Sequence, residues 1–412
     1  MQWSRGLEIK HLEWLQAKGR VYDVPFPGTL VSRKSQPESM TPTRIQQVEV
    51  IPIRAPRKEA VRSGLNIADP VTASEFGIIR IRTANGAEGL GEISITFPRI
   101  GFSLCHAAQR MLAPAITGMD SLAIPAVLAE IDRVLGGELS APYLRAAFEM
   151  ALLDLTGKHF GLPVWALLGG RMRQRAPLAW GIYQKSPEEM AADAVAGLTA
   201  GFHAIKLKVG RKLEDDLAAV QAVANAVPIP LRLDANMAWP NVPEAARAMR
   251  ALAAVARVEW FEQPLAKRNL EGLRALRHQT GLPVMADESC HTLRDAYDLA
   301  RAEAADVWNV YVAEAGGLRA AAEIFALGTA VGVPCILGSQ AEMGIATAAC
   351  AHLAVALPQL PYAIETFGPL RYQRDIVATP GMIEGGWLTP PEGPGLGVTL
   401  DWDAVNEMKE QL

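Results

Sequence analysis

A repeat of spacing constrains this chain more than any other feature. After residue 175, short runs rich in β-forming residues recur, and the polar residues Lys208, Asp234, Glu262, Asp287 and Tyr311 at their ends stand 26, 28, 25 and 24 residues apart. The runs are Leu178 to Ile182, Ala204 to Lys208, Leu231 to Asp234, Val258 to Glu262, Val284 to Asp287, Val307 to Val312, Cys335 to Leu337 and Ala363 to Glu365. Most are separated by Ala/Leu/Arg-rich stretches such as Leu213 to Val227 and Ala245 to Val255, which read as helices. Parallel strands need a long crossover, normally a helix, so this period is that of a βα unit. About eight such units over roughly 200 residues close a (β/α) barrel, whose chemistry sits at the C-terminal strand ends. Those ends are where the five polar residues fall. An open doubly wound sheet is the alternative, but the sequence has neither G-x-G-x-x-G after a first strand nor G-x-x-x-x-G-K-[ST].

Ahead of the repeat the pattern differs. Residues 44 to about 100 alternate as antiparallel strands, with Asn85-Gly86 as a hairpin turn. Helical periodicity then runs to about residue 160 and stops near Gly161-Leu162-Pro163. Strands and helices in separate blocks predict an α+β unit. The expected organisation is an N-terminal extension at 1–39, an α+β domain at 40–165, the barrel at 166–385, and a Gly/Pro-rich C-terminal segment at 386–412 that returns to the first domain. Residues 1–39 have charges scattered among the apolar residues and so lack the apolar core of a signal peptide; Met40 is a candidate natural start.

Composition narrows the partners. The 412 residues are 50% hydrophobic, enough for a large core. Lys and Arg total 40 against 44 Asp and Glu, a net charge of -4 without a basic block, which gives no footprint for nucleic acid or an anionic membrane. No apolar run approaches the roughly 18 residues of a membrane span. Cys105, Cys290, Cys335 and Cys350 are scattered without a C-x-x-C pair, which suits a reducing, cytoplasmic setting.

Asp234, Glu262 and Asp287 end three successive strands and therefore point into one bowl. Any one of them alone reads as a helix N-cap. Three converging carboxylates repel in a low-dielectric mouth unless they are protonated or bridged by a hard cation, for which Mg²⁺ is the natural choice. Lys206-Leu207-Lys208 places two ammoniums on one face of the second strand. Mutual repulsion is expected to lower one pKa toward neutrality and make a base; the alternative is that the lysines merely pair with the acids.

These residues carry a resemblance. Lys206-Leu207-Lys208, Leu233-Asp234-Ala235-Asn236, Trp260-Phe261-Glu262-Gln263-Pro264, Ala286-Asp287-Glu288-Ser289 and Gly316-Gly317 are similar to the enolase superfamily, and most to its muconate lactonizing enzyme subgroup. Leu167-Leu168-Gly169-Gly170, Glu365-Thr366-Phe367-Gly368-Pro369-Leu370 and Gly393-Pro394-Gly395-Leu396-Gly397 extend the likeness across residues 44 to 402. The resemblance implies an α/β fold in which an N-terminal α+β capping domain covers a modified (β/α)7β TIM barrel. It implies Mg²⁺ on Asp234, Glu262 and Asp287, chelating a carboxylate substrate whose α-proton Lys208 removes. Lys206 would tune Lys208, while Asn236 and Glu288 would orient the ligands. Assembly into a homo-oligomer is expected on the same ground.

The sequence departs from that pattern in one informative place. The subgroup usually offers a lysine where this chain has Tyr311, and the seventh strand, Cys335 to Gln340, lacks the histidine of the mandelate racemase type. An unperturbed phenol, with a pKa near about 10, is a workable acid but a poor base. One-base chemistry on the Lys208 face is therefore expected, above all a dehydratase reaction by syn elimination. A cycloisomerase or an epimerase with Tyr311 as second acid/base is the runner-up, and a non-catalytic metal- and ligand-binding homologue the reading from another class. Glu342 resembles an acidic seventh-strand position of the subgroup, and is expected either to contact substrate or, equally, to play a hydrogen-bonded structural role. Specificity is expected from loops 58–70 and 94–104, where Phe97 and Phe102 would exclude water and Arg62 or Arg99 would bind a second anionic group. Trp180, Trp239, Trp260 and Trp308 lie at or near strand ends; core packing is the commoner role for such residues, and some, Trp180 foremost, are candidates for lining the cavity. His203 and His352 are expected to be structural.

Overall fold

The computed structural model describes residues 42–61, 70–95, 100–137, 141–378 and 381–411. They belong to one compact unit, residues 41–412. The expectations about residues 1–39, Phe97, Arg62 and Arg99 lie outside the described residues.

Three antiparallel strands open the fold: β1 (Ile45–Val61), β2 (Val71–Thr83) and β3 (Glu88–Ser94), in that order. The β2–β3 turn is where the sequence puts it, with Gly86 at φ 83° and its N–H donating to Thr83 O over 2.9 Å. Helix α1 (Pro142–Phe160) lies against β3 and is buried along most of its length, which is why it shows no polar stripe in sequence. The approach is close: a Cβ on Gly91 would sit 1.9 Å from Ala147 O, and one on Gly89 2.2 Å from Ala151 O. Asp154 of α1 ties distant segments together, accepting from Leu90 N, Leu396 N and Lys158 Nζ at 2.9, 2.8 and 2.7 Å. The chain's last described turn reaches β1, where Glu410 N donates to Pro52 O.

Seven parallel strands form the second sheet in sequence order: β4 (Ala179–Ile182), β5 (Ala204–Lys208), β6 (Leu231–Asp234), β7 (Val258–Glu262), β8 (Val284–Ala286), β9 (Val307–Val310) and β10 (Cys335–Leu337). The eighth run, Ala363 to Glu365, is not a regular strand, yet it closes the ring. Ala179 N donates to Ile364 O and Ile364 N to Pro177 O, each over 2.8 Å, and Glu365 N donates to Leu337 O over 3.0 Å. This is the capped (β/α)7β barrel expected from the sequence. Four of the helices between the strands start at side-chain caps, from Ser186, Asn241, Asn269 and Thr292, with Ser186–Glu189 and Thr292–Asp295 forming reciprocal capping boxes. The helix read from Ala245 begins earlier, at Val242, because Asn241 caps it and Pro243 suits its first turn. The sixth run ends at Val310 rather than Val312: Tyr311 stands at the N-terminal boundary of a single helical turn, Val312–Ala315, that left-handed Gly316 (φ 87°) terminates.

Candidate active site

Strand register builds the site. Lys208 pairs with Asp234, and Asp234 with Glu262, so three charged side chains stand in a row at the rims of β5, β6 and β7. Asp287 follows β8 directly, and Gln263 sets it: Gln263 Oε1 accepts from the backbone N–H groups of Asp287 and Ser289 at 3.0 and 3.1 Å. Carboxylate oxygens of Asp234, Glu262 and Asp287 come within 4.8 Å of one another, all three residues being buried.

Both lysines turn toward these acids. Lys206 Nζ lies 2.6 Å from Glu262, 2.7 Å from Glu365 and 3.0 Å from Asp234, while Lys208 Nζ lies 2.5 Å from Asp234 Oδ2. Burial works to lower both ammonium pKa values, but the surrounding carboxylates, Asp234 first, raise both above the usual lysine range. The expected depression of one lysine toward neutrality is therefore corrected. Lys206 does depress Lys208, but Asp234 outweighs it. The same contacts act in reverse on Asp234, which burial would raise and the two ammoniums hold well below the usual carboxylate range. Glu262 and Asp287 are pushed up, by burial first and then by Asp234 and Glu288 respectively.

The residues fit a hard divalent cation. Glu262 Oε2 is buried without a hydrogen-bond partner, and among the described residues no donor is placed on the Asp287 side chain. Three convergent carboxylates, of which Glu262 and Asp287 keep oxygens free of donors while those of Asp234 are held by Asn236 and the lysines, are the donor set that Mg²⁺ takes. Asn236 braces the cluster from a left-handed conformation (φ 41°), its N–H donating to Asp234 Oδ1 over 2.9 Å and its Nδ2 to Glu288 Oε1 over 3.2 Å.

A cavity of about 570 Å³ opens over this cluster and is lined by Lys206, Lys208, Asn236, Asp287, Glu288 and Tyr311. β5 and β9 are four strands apart in a ring closed by an eighth segment, so Lys208 and Tyr311 face each other across the barrel. The Tyr311 ring lies against Gly338, where a Cβ would meet it at 2.5 Å, and its hydroxyl accepts from Asn309 Nδ2 at 3.3 Å. Burial, then the Asp287 and Glu262 charges, push its phenol well above the ordinary tyrosine value.

Other expected residues stand elsewhere. Trp180 does not line the cavity: its indole N–H donates to Asp193 Oδ1 over 2.8 Å and its ring packs between Phe202 and Phe367. Side chains alternate along β4, and Trp180 falls on the face turned to the helices. Trp239, Trp260 and Trp308 are likewise core residues and none reaches the cavity. Glu342 is buried beneath the rim, accepting from Ser339 Oγ and from Gln340 N, which holds its own loop, and it is not among the residues that line the cavity. Phe102 packs under Arg54, 4.8 Å from the ring centre, and does not line the cavity. His203 meets the Trp387 ring edge-on, and His352 accepts from Trp165 N with Nδ1, 3.4 Å away, while Nε2 faces Leu396 O at 3.2 Å; both are structural.

Several lining residues escaped the sequence reading. Glu365 ends the eighth run as the three acids end theirs, which is the signal that could have found it. Lys267, His291 and Glu314 come three to five residues after Glu262, Asp287 and Tyr311, but only the loop paths bring them to the cavity. Tyr143 and Arg57 arrive from the α+β layer with no local signal at all.

Comparison with known proteins agrees with this geometry. Residues 48–169 match the mandelate racemase / muconate lactonizing enzyme N-terminal domain, and residues 189–404 match the family described as enolase C-terminal domain-like. The chain is 34% identical to muconate cycloisomerase 1-2 of Acinetobacter lwoffii, over 90% of this chain and 96% of that one. It is 35% identical to L-Ala-D/L-Glu epimerase of Bacillus subtilis, over 84% and 93%. Among solved structures, the muconate lactonizing enzyme from Pseudomonas fluorescens complexed with muconolactone superposes with a TM-score of 0.84 at 32% identity, covering 90% of this chain and all of that one. Among the described residues, no helix is long and apolar enough to cross a membrane.

Proposed function

Because the chain belongs to the mandelate racemase / muconate lactonizing enzyme family and is an enzyme of the enolase superfamily, we propose that it removes the proton α to the carboxylate of a small acid or amino acid and then eliminates a β-hydroxyl. The observation that carries this reading is the asymmetry of the cavity. One wall presents the Lys208 amine, and the wall facing it presents the Tyr311 phenol, which burial and nearby carboxylates keep protonated. A protonated phenol accepts no proton from carbon, so one face does the deprotonation.

Asp234, Glu262 and Asp287 would hold Mg²⁺, which supplies positive charge for the substrate carboxylate and the developing enediolate and draws the acids' charge away from the lysines. Lys206, clamped by Glu262 and Glu365, stays a fixed cation beside Lys208 and favours the neutral amine there. Asn236 and Glu288 keep the Asp234 side of the cluster in place. Cycloisomerisation or epimerisation is the second reading, supported by the reactions named for the relatives.

Loss of the α-hydrogen NMR signal in D₂O, followed over a panel of small acids and amino acids with Mg²⁺, separates these. Exchange with loss of water supports the dehydratase; exchange with inversion and no elimination overturns it in favour of the epimerase; no exchange with any compound leaves a ligand-binding homologue. Lys208→Ala is expected to lower turnover at least about 100-fold while Mg²⁺ still raises the melting temperature. Retained turnover would remove Lys208 from the base role.

A further inference from the structure

Three successive strand-to-helix loops carry a polar chain that α-deprotonation does not use. Lys267 follows β7, His291 follows β8 and Glu314 follows β9, and all three reach the cavity. Lys267 Nζ is 2.9 Å from His291 Nδ1, and His291 Nε2 is 3.0 Å from Glu314 Oε2. A lysine ammonium only donates, so Nδ1 accepts and the imidazole proton sits on Nε2; Nε2 and Glu314 Oε2 are within reach of each other but each stands without a hydrogen bond, so a transfer between them needs a small turn of the imidazole or the carboxylate. The chain runs inward: Lys267 and His291 are partly exposed and Glu314 is buried. Glu314 Oε1 is held by Gln340 Nε2 at 2.6 Å and by the Tyr143 hydroxyl at 3.4 Å. Lys267, His291, Tyr143, Tyr311, Glu342 and Asp287 are the titratable groups around it. Tyr311, in contrast, has only Asn309 at its hydroxyl among the described residues.

We propose that Glu314 is the acid that protonates a β-hydroxyl leaving toward the wall that faces Lys208, an anti elimination in place of the syn course expected from the sequence, and that Lys267 and His291 return a proton to it from solvent. The proposal rests on the α-proton reading above. First the Cα–H bond breaks, its proton going to Lys208 Nζ and its electron pair into the adjacent carboxylate; that pair then returns to form the Cα=Cβ bond. The Cβ–O bond leaves with its own pair, and the oxygen takes the Glu314 proton to become water. Glu314 then takes the Nε2 proton of His291, Nδ1 takes one from the Lys267 ammonium, and Lys267 regains it from water. Burial, opposed first by the Lys267 charge, lifts the Glu314 carboxyl to about 7, so both of its forms are accessible at neutral pH.

The test uses the full-length enzyme with Mg²⁺ in D₂O and a panel of small linear and cyclic β-hydroxy acids and β-hydroxy amino acids, following α-hydrogen exchange and dehydrated product together. Glu314→Gln is expected to keep exchange while product formed per exchange event falls at least about tenfold. In His291→Ala the same ratio falls and recovers with added imidazole, a rescue that lost packing would not give. Exchange and product falling in parallel, or a ratio unchanged in both variants, overturns the proposal alone. Absence of exchange in the unsubstituted enzyme overturns the α-proton reading and takes this proposal with it.

Discussion

At Lys208 a count of neighbours decides the protonation state. One like charge, Lys206, stands beside it, but Asp234 shares a single oxygen between the two amines, at 3.0 Å from Lys206 and 2.5 Å from Lys208. The attraction wins, which sequence adjacency alone could not reveal. His352 shows the opposite case, a titratable group held neutral. Burial pulls its imidazole down to about 4; the Leu396 carbonyl opposes this and the Arg171 charge adds to it. The folded pKa lies below the unfolded one, so the unfolded chain binds the extra proton first. Stability is complete above about pH 6.5 and declines as pH falls toward 4, by on the order of 3 kcal/mol. His352→Gln, which offers a donor and an acceptor without titrating, is expected to flatten the fall in melting temperature between pH 7 and about 5. An equally steep fall in the variant would show that other groups carry the acid sensitivity.

Between elements, the tightest constraint is the contact of α1 with β3. Gly91 lets the Ala147 carbonyl approach to a point where a Cβ would stand 1.9 Å from it, and backbone cannot swing aside as a side chain can. Gly161 has the other kind of need: it ends α1 at φ 68° with open space around its Cα. Gly91→Ala is therefore expected to cost about 3 kcal/mol or more through overpacking, against about 1 kcal/mol for Gly161→Ala, as read from urea unfolding midpoints. Similar midpoints for the two variants would mean that α1 shifts freely on the sheet. The same scale explains Tyr311: it stands two residues after Asn309 and so shares its face, and the turn at Val312–Ala315 ends the strand there and leaves it on the rim.

For the whole molecule, the barrel gathers charge that its parts would not tolerate together. Glu262 has a carboxylate oxygen buried without a donor, a cost that a bound cation would relieve. Mg²⁺ at 100 times its Kd is expected to add about 2.7 kcal/mol of stability, seen as a rise in melting temperature that a chelator reverses. Glu262→Gln should lose most of that rise; an unchanged rise would place the ion elsewhere.

The period of about 25 residues, the alternation within strands and the caps at Ser186 and Thr292 are local, so the sequence by itself determined a barrel and the side on which its chemistry lies. It also brought Asp234, Glu262 and Asp287 together, because one strand-end position per unit is a rule of register. Tertiary structure decided what depends on loop paths and on the facing layer. Lys267, His291, Glu314 and Tyr143 meet at one cavity wall although 171 residues separate the last two. Trp180 and Glu342 turn away from it for reasons of packing. Proton affinities belong to the same class, since they follow from distances between groups far apart in the chain, and only the closed barrel sets those distances.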